Sequence, residues 1–260
     1  MYEAHPKAIV SDNHNTIWKY MDFTKLLCML RKKTLFFCRL DQIKKYDDFE
    51  YSDTQASRNS FNNRLTEMLG PNGTVTLGTT KCDYESAARI TDEIRKLGSG
   101  KIAVNCWHSN EYESLAMWKV FLKSEEGVVV KTSVARLKKA FISPQKIYIG
   151  QINYYDYSSE DPSNIIKSDN IISHAFYKRK YFIYENEIRA LIVKSGPESH
   201  DCHGNWLDLT DTELHVSVDL DMLIDRILVH PHSPNWFFEL VKEVSHPFLV
   251  EKSTIANRPL

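Results

Sequence analysis

The sequence predicts an α+β fold, with a single compact domain over residues 1–260 and a central mixed β-sheet, whole or split, flanked by helices. Segments with strand-like and helix-like patterns alternate along the chain, which favours this class. The 260 residues are 42% hydrophobic and 26% charged, a composition typical of a globular protein with one sizeable core. No internal repeat and no linker rich in proline, glycine or serine divides the sequence, so one domain is the economical prediction.

The first elements follow a polar lead-in, residues 1–15, which we expect to be poorly ordered. Residues 16–21 have the composition of a short strand. Asp22 can then cap a helix, because the apolar residues after it recur at helical spacing. Residues 34–38 form an apolar, β-prone run that leads into an acidic loop at residues 47–50.

The middle of the chain alternates between helices and strands. Two helices are predicted at residues 54–69 and 83–97, with a turn between them at residues 70–73, where glycine, asparagine and proline favour a turn. The elements that follow are a strand at 101–107, a helix at 111–122, a buried strand at 127–131 and a helix from a Thr132 cap to about Phe141.

The remaining part of the chain predicts four more strands and a helix. The strands are expected at residues 146–153, 187–194, 213–217 and 225–230, and the helix at about 234–245. Residues 195–211 form the most conspicuous loop, and Asp219 has the position of a structural helix cap.

Charge and cysteine content restrict the classes of function. The 33 basic and 34 acidic side chains give a net charge of -1, so there is no overall field to hold a nucleic acid or an anionic membrane. Five cysteines, an odd number, favour reduced thiols and a cytoplasmic location over a disulfide framework. No stretch reaches the ~18 apolar residues that a membrane span requires, so no membrane partner is expected.

A first polar and aromatic block runs from Cys106-Trp107-His108 through Glu113 to Trp118. It lies at the end of a predicted strand, where α/β-type folds often bind ligands. Trp118 and its apolar helical neighbours equally fit a hydrophobic core. His108 and Glu113 do not belong to an apolar stripe, so we regard both as candidate site residues.

A second block contains Lys178-Arg179, then Glu185, Glu187 and Arg189. If the backbone is extended, Glu185 and Glu187 lie on the same side of the strand. Two adjacent carboxylates repel each other, which raises the proton affinity of one and can supply a base and an electrostatic partner. The alternatives are a solvated edge strand or a structural ion pair between Glu187 and Arg189.

Several well-known sites are absent from the sequence. There is no GxxxxGK[ST] phosphate loop, no GxGxxG dinucleotide turn and no GxSxG elbow, which disfavours the three chemistries that depend on them. Residues 200–203 (His-Asp-Cys-His) are metal-ligand types, but they are crowded within one turn and lack a second spaced pair. No metal is therefore predicted.

The ordered set of motifs resembles a bacterial family catalogued as a domain of unknown function and associated with mobile-element and defence settings. The motifs are Trp18-Lys19-Tyr20, Leu35-Phe36-Phe37 with Asp41, Asp47-x-Phe49-Glu50, Cys106-Trp107-His108-x-x-Glu111-x-Glu113-Ser114-x-x-Met117-Trp118, Gly127-Val128, Lys178-Arg179, Glu185-x-Glu187-x-Arg189, and Pro231 with Trp236. The resemblance covers nearly the whole chain and implies a family rather than a reaction.

A weaker similarity, to the three-part signature of ADP-ribosyltransferase folds, implies a chemistry. It implies NAD as the substrate, with Glu187 as the catalytic acid and Glu185 assisting. By the same similarity, Lys19 or Tyr20 would contact the ribose and Phe36 or Phe37 would stack under nicotinamide. We further expect Arg39, Lys178 or Arg179 to meet the phosphates of NAD as charge-assisted donors. The first strand lacks the histidine of that signature, and the second has Phe in place of Tyr.

Two other functions remain open. A metal-dependent nuclease would gather Mg²⁺ ligands and catalytic groups, namely Asp47, Glu50, His108, Glu113 and Lys178. A non-catalytic adaptor would bind a nucleotide or peptide in a cleft rich in aromatic residues such as Trp107 and Trp118. For the transferase, an antiphage or toxin effector that modifies nucleic acid or protein is expected. The sequence leaves the oligomeric state open.

Overall fold

The structure, a computed structural model, describes residues 1–4, 8, 10, 12–70, 73–77, 80–166, 171–193 and 213–256. Within them, nine strands join in one mixed sheet accompanied by helices, which confirms the predicted α+β class. The loop predicted at residues 195–211, including the His200 to His203 segment, lies outside the described residues.

The strands are β1 (Thr16–Asp22), β2 (Thr34–Arg39), β3 (Val75–Leu77), β4 (Thr80–Cys82), β5 (Ile102–Ser109), β6 (Gly127–Ser133), β7 (Tyr148–Gln151), β8 (Asn153–Tyr155), β9 (Tyr177–Arg179), β10 (Glu187–Val193), β11 (Glu213–Ser217), β12 (Arg226–Val229) and β13 (Val250–Lys252). The helices are α1 (Phe23–Lys32), α2 (Leu40–Ile43), α3 (Gln55–Leu69), α4 (Tyr84–Ser99), α5 (Leu115–Phe121), α6 (Val134–Ala140), α7 (Ile171–His174), α8 (Leu220–Leu223) and α9 (Asn235–Val244). Short 3-10 helices cover Pro162–Asn164 and Lys180–Glu185.

Side-chain caps define where several helices begin. Asp22 accepts a hydrogen bond from the backbone N–H of Lys25, so the predicted cap of α1 is confirmed. The helix predicted from residue 111 was wrong at its start, because Ser114 caps α5 and the helix begins at Leu115. Thr132 was also wrong as a cap, since β6 continues through Ser133, which caps α6 instead.

The large sheet follows the order β11-β2-β5-β1-β6-β12-β13, with β10 between β5 and β7. Its pairs are antiparallel except β12 with β13. The two remaining small sheets pair β3 with β4 and β8 with β9. The strand predicted at residues 146–153 is divided, because β7 joins the large sheet whereas β8 pairs with β9.

One edge of β5 is shared by two strands that separate from each other. Because β10 pairs with residues 102–108 along one edge, β1 and β2 must both lie on the opposite edge. β1 pairs at His108 and Ser109, whereas β2 pairs at Ala103 and Val104. Residues 105–107 lie between the two pairings, so the sheet is split there.

The two faces of the sheet bury different apolar clusters. Along β10, Ile188 and Ile192 join the largest cluster, which also contains residues of α1, α6 and α9, whereas Leu191 joins a second cluster. Alternate residues of a strand point to opposite faces, so these clusters lie on opposite sides of the sheet. A third cluster surrounds Trp118 of α5 and Tyr20 of β1.

Part of the lead-in packs against the sheet. Tyr2 forms a bridge with Ile147, and Ala8 is buried in the second apolar cluster. In the parts of the chain that the structure describes, we find no helix with both the length and the apolar character needed to cross a membrane.

Candidate functional site

A cleft of about 480 Å³ opens where the sheet splits. That volume lies within the range of small-molecule sites. Its walls come from β1, α1, β2, β5 and α5, and the region before and at the start of β10 adds two carboxylates. The polar side chains that line it include Lys19, Asn105, His108, Glu185 and Glu187.

The two blocks singled out in the sequence meet at this cleft. In the antiparallel pairing of β5 with β10, His108 stands opposite Glu187 and Cys106 stands opposite Arg189. The two blocks therefore lie side by side along these strands. β10 is an interior strand between β5 and β7, and Glu187 is only 2% exposed, so a solvated edge strand is excluded.

Glu187 belongs to a chain of buried ion pairs. Arg189 donates from Nε to Glu187 Oε1 at 2.6 Å and from Nη1 to Glu50 Oε1 at 2.7 Å. Lys178 Nζ lies 3.3 Å from Glu187 Oε2 and 2.5 Å from Glu185 Oε2. The charges of these ion pairs therefore alternate in sign along the series, from Glu50 in its loop to Glu185 at the cleft. The structural ion pair that the sequence left open is present.

The local backbone is not extended as the sequence suggested. Residues Lys180–Glu185 form a 3-10 helix, and Asn186 is left-handed with φ 38°. The two carboxylates meet because the ammonium group of Lys178 lies between them and attracts both. Attraction to Lys178, and not the alternation of an extended strand, therefore brings the two carboxylates together.

The two carboxylates differ in proton affinity. Burial by itself would raise the pKa of Glu187, but Arg189 and Lys178 outweigh it and hold the pKa at about 2. Burial raises the pKa of Glu185, and Lys178 offsets this only in part. Glu187 is therefore a fixed anion near neutral pH. Glu185 is the partner with the higher proton affinity, the division of roles that two neighbouring carboxylates can provide.

Three polar atoms on β5 are buried without a hydrogen-bond partner among the described residues. They are Asn105 Oδ1, Trp107 Nε1 and His108 Nε2, and all three residues line the cleft. Asn105 Nδ2 donates to Phe36 O at 2.7 Å, which fixes the orientation of the amide and leaves Oδ1 open. Buried polar groups are normally paired, so these atoms are natural contacts for a ligand.

The strands β1 and β2 carry four of the residues assigned by resemblance, and three of them line the cleft. Lys19 donates from Nζ to Cys106 O at 2.9 Å, and burial lowers its pKa to about 8. Tyr20 accepts a hydrogen bond from Ser114 N. Phe36 is 41% exposed and lines the cleft, whereas Phe37 is 0% exposed and packs on Phe141 in the core. Phe37 was therefore wrong as a stacking residue.

Arg179 does not line the cleft. It pairs with Asp47 at 2.7 Å, and its guanidinium lies over Phe49. The phosphate role expected for Arg179 is therefore not supported by its position. The lysines that do line the cleft on α1 are Lys25 and Lys32.

The other sequence candidates have structural partners. Glu113 accepts hydrogen bonds from Trp118 Nε1 and Ser253 Oγ and lines a separate cavity of about 350 Å³. Trp118 is buried in the third cluster, as the core interpretation expected. Trp107 is buried and has Lys19 Nζ 5.3 Å from the centre of its ring. Asp47 and Glu50 support the ion-pair networks.

Sequence reasoning missed Asn105 and Tyr154, and it also missed the contact that Cys106 makes with Glu187. Asn105 sits inside an apolar strand, and a buried amide among apolar residues was the available signal. The Cys106 thiol donates a hydrogen bond to Glu187, and burial raises its pKa. Tyr154 accepts from the backbone N–H of Glu187 through its hydroxyl oxygen. No sequence pattern signals that contact, because 33 residues separate the two.

The described residues contain no group of three or more His, Cys, Asp or Glu side chains that could hold a metal ion. Comparison of the chain with protein-family models, with curated proteins and with solved structures finds no match. The two resemblances noted in the sequence stay predictions.

Proposed function

We propose that this protein is an NAD-dependent transferase of the ADP-ribosyltransferase type, with the dinucleotide bound in the cleft. One observation carries the proposal. Five residues assigned by resemblance, from separate parts of the chain, line a single cavity: Lys19, Tyr20, Phe36, Glu185 and Glu187. Such convergence is expected of a ligand-binding site.

The electrostatics of Glu187 suit this reaction. Cleavage of the bond between nicotinamide and ribose develops positive charge on the ribose, which a fixed carboxylate stabilises. With its pKa at about 2, Glu187 supplies a permanent anion that Arg189 and Lys178 hold in place. In this proposal Glu187 is an electrostatic group, and proton transfer falls to a different residue.

The unpartnered atoms of β5 suit a carboxamide. Asn105 Oδ1 can accept a hydrogen bond, and Trp107 Nε1 can donate one. The nicotinamide carboxamide offers the complementary pair, an N–H donor and a C=O acceptor. Phe36 adds an exposed aromatic face at the same cleft for a planar ring. Lys25 and Lys32 replace Arg179 as the groups that meet the phosphates.

The cellular role is part of the same proposal. We place the enzyme in the cytoplasm, where its described cysteines, Cys28, Cys38, Cys82 and Cys106, would remain thiols. It acts as a toxin or antiphage effector on a nucleic acid or protein acceptor. The net charge of -1 means that a polyanionic acceptor would be held by local contacts at the cleft rim.

The nuclease is less well supported, because the described residues offer no metal-ligand group and Glu113 lies at a separate cavity. The adaptor function would use the same cleft as the transferase function but would require no turnover of NAD. The two are distinguished by measuring binding and catalysis separately.

Calorimetric titration with NAD in EDTA, repeated with Mg²⁺, tests binding, and nicotinamide release tests turnover. We expect NAD to bind equally in both buffers and nicotinamide to be released. Phe36→Ala should weaken NAD binding roughly 5- to 10-fold through loss of the aromatic contact. Tyr46→Ala, the same kind of change on a highly exposed ring outside the cleft, is the matched control.

Binding without nicotinamide release, with or without nucleic acid and protein acceptors, would support the adaptor. Activity on nucleic acid that EDTA abolishes would support the nuclease. The absence of NAD binding in both buffers would overturn the proposal.

A further inference from the structure

His108 is placed differently from the other histidines of the described chain. It is the next-to-last residue of β5, is 7% exposed, lines the cleft and stands opposite Glu187 in the strand pairing. Its ring meets the ring of Tyr20 edge to face, with centroids 6.3 Å apart. It is therefore held by β1, β5 and β10 at the place where the sheet splits.

The hydrogen bonding of His108 fixes its tautomer. Nδ1 lies 2.6 Å from the backbone carbonyl oxygen of Glu185. A carbonyl oxygen can only accept, so the proton must be on Nδ1. In the neutral ring Nε2 then carries a lone pair, and this atom is buried without a partner in the described part of the chain. Burial also lowers the pKa of His108, which favours the neutral ring.

Four other titratable groups of the cleft are poorly suited to remove a proton near neutral pH. Glu187 is a very weak base because its pKa is about 2. Glu185 has a raised pKa, but its Oε2 already accepts a hydrogen bond from Lys178 Nζ at 2.5 Å. Lys19 donates its own hydrogen bond to Cys106 O, and the Cys106 thiol has a raised pKa.

We propose that His108 Nε2 is the general base that activates a hydroxyl nucleophile for the transferase. This inference rests on the proposed function and extends it to the acceptor, which must carry an O–H group. The hydroxyl proton moves to Nε2, and the oxygen forms a bond to the ribose carbon that carried nicotinamide. The bond from that carbon to the ring nitrogen breaks, and its electron pair leaves with neutral nicotinamide. The imidazolium later loses its proton to water.

The variant His108→Asn isolates this role. The asparagine amide can still donate to Glu185 O from near the Nδ1 position, but nothing replaces Nε2. With NAD as the donor and water or methanol as the acceptor, we expect kcat for nicotinamide release to fall about 100-fold, as for loss of a general base. The affinity for NAD should be unchanged. Imidazole added to His108→Ala should restore part of kcat.

His230→Asn is the matched control. Burial also lowers the pKa of His230, but it packs on Trp118 and does not line the cleft. Its replacement should leave kcat unchanged. If His108 had only a structural role, its replacement would lower the melting temperature, and imidazole would not restore kcat.

The wild-type enzyme supplies a test that does not depend on a variant. The ionisable groups that face His108 are Tyr20 on β1, Glu187 on β10 and Glu185 before it. Protonation removes the base, and burial lowers the pKa of His108, so kcat should be level at neutral pH and above and should fall in acid, with a midpoint below the ordinary pKa of histidine. This acid limb should disappear in His108→Asn.

The outcomes separate the two proposals. If the wild type turns over NAD and His108→Asn retains kcat, or if kcat is flat in acid, this inference is overturned and the transferase stands. If the wild type binds NAD but releases no nicotinamide with water, methanol, nucleic acid or protein as the acceptor, the transferase fails and this inference fails with it.

Discussion

The strands β5 and β10 run side by side but carry opposite kinds of polar chemistry. On β5, polar atoms of Asn105, Trp107 and His108 are buried and lack partners within the described chain. On β10, the charges of Glu187 and Arg189 are bound on several sides. Unpartnered groups can form new bonds with a ligand, whereas paired groups mainly hold their own geometry.

The comparison assigns different tasks to neighbouring strands. β5 supplies recognition and proton transfer, and β10 supplies a fixed charge. If the distinction is correct, changes on β10 should cost folding stability, at Glu187 together with catalysis, whereas changes that affect β5 should cost binding or catalysis with little loss of stability. The following predictions test it, from the largest expected effect to the smallest.

Arg189→Met should cause the largest loss of stability. Arg189 is 1% exposed, and its removal leaves the buried carboxylates of Glu187 and Glu50 without their shared cation. We expect the free energy of unfolding to fall by about 3–5 kcal/mol. Urea unfolding measures it, and Arg226→Met, which removes a surface pair with Glu251, should cost less than about 1 kcal/mol. Equal losses would contradict the comparison.

Glu187→Gln should lower kcat for nicotinamide release about 100-fold, because the charge that stabilises the ribose cation is lost. The glutamine keeps the shape of the side chain, so the variant should fold, although less stably than the wild type. Circular dichroism and nicotinamide release measure the two effects. Glu113→Gln, at the second cavity, is the control and should keep its activity. Full activity of Glu187→Gln would show that the carboxylate is purely structural.

The same carboxylate predicts how stability depends on pH. The pKa of Glu187 is about 2 in the folded chain, below its usual value of 4.5. Its contribution to stability is therefore complete above pH 4.5 and is lost as the pH falls towards 2. Glu185, whose pKa is raised, acts in the opposite direction. Urea midpoints measured across this range should vary less in Glu187→Gln than in the wild type.

Nicotinic acid adenine dinucleotide should bind about tenfold more weakly than NAD. Its carboxylate cannot donate to Asn105 Oδ1, which would leave that buried acceptor unpaired. Competition between the two dinucleotides for the cleft gives the ratio of affinities. Equal binding of the two dinucleotides would show that the unpartnered atoms of β5 do not recognise the carboxamide of NAD.

Lys32→Ala should weaken NAD binding only two- to threefold, and the loss should shrink at high salt. Lys32 lines the cleft, whereas its neighbour Arg31 is exposed and does not. Arg31→Ala is therefore the control. If Arg31→Ala weakened NAD binding more than Lys32→Ala, the phosphates of NAD would not lie beside Lys32.

Local signals in the sequence predicted much of the fold. The aspartate at position 22 and the continuous run of valines in β6 act through neighbours in the chain, so their structural roles could be inferred. The three-residue strands β9 and β13 are too short to show a period. Their existence depends on partners distant in the chain, namely β8 and β12.

The candidate site was predictable in part, for the same reason. Glu187 and His108 stand out because polar side chains at the ends of apolar strands are costly without a partner. The convergence of Glu185 and Glu187 on Lys178, and the burial of Phe37 beside exposed Phe36, depend on tertiary packing. No pattern of spacing contains that information.

The connection between β1 and β2 makes the cleft adjustable. The two strands that diverge from β5 are joined by α1 and the left-handed residue Lys33, whose φ is 51°. A helix of ten residues is about 15 Å long. The length of α1 and the angle at which the chain leaves it therefore set the distance between β1 and β2 at the cleft. Adding or removing one helical turn in α1 should therefore change the size of molecule that the cleft admits, at a cost in stability, because Leu26 and Met29 of α1 pack in the largest apolar cluster.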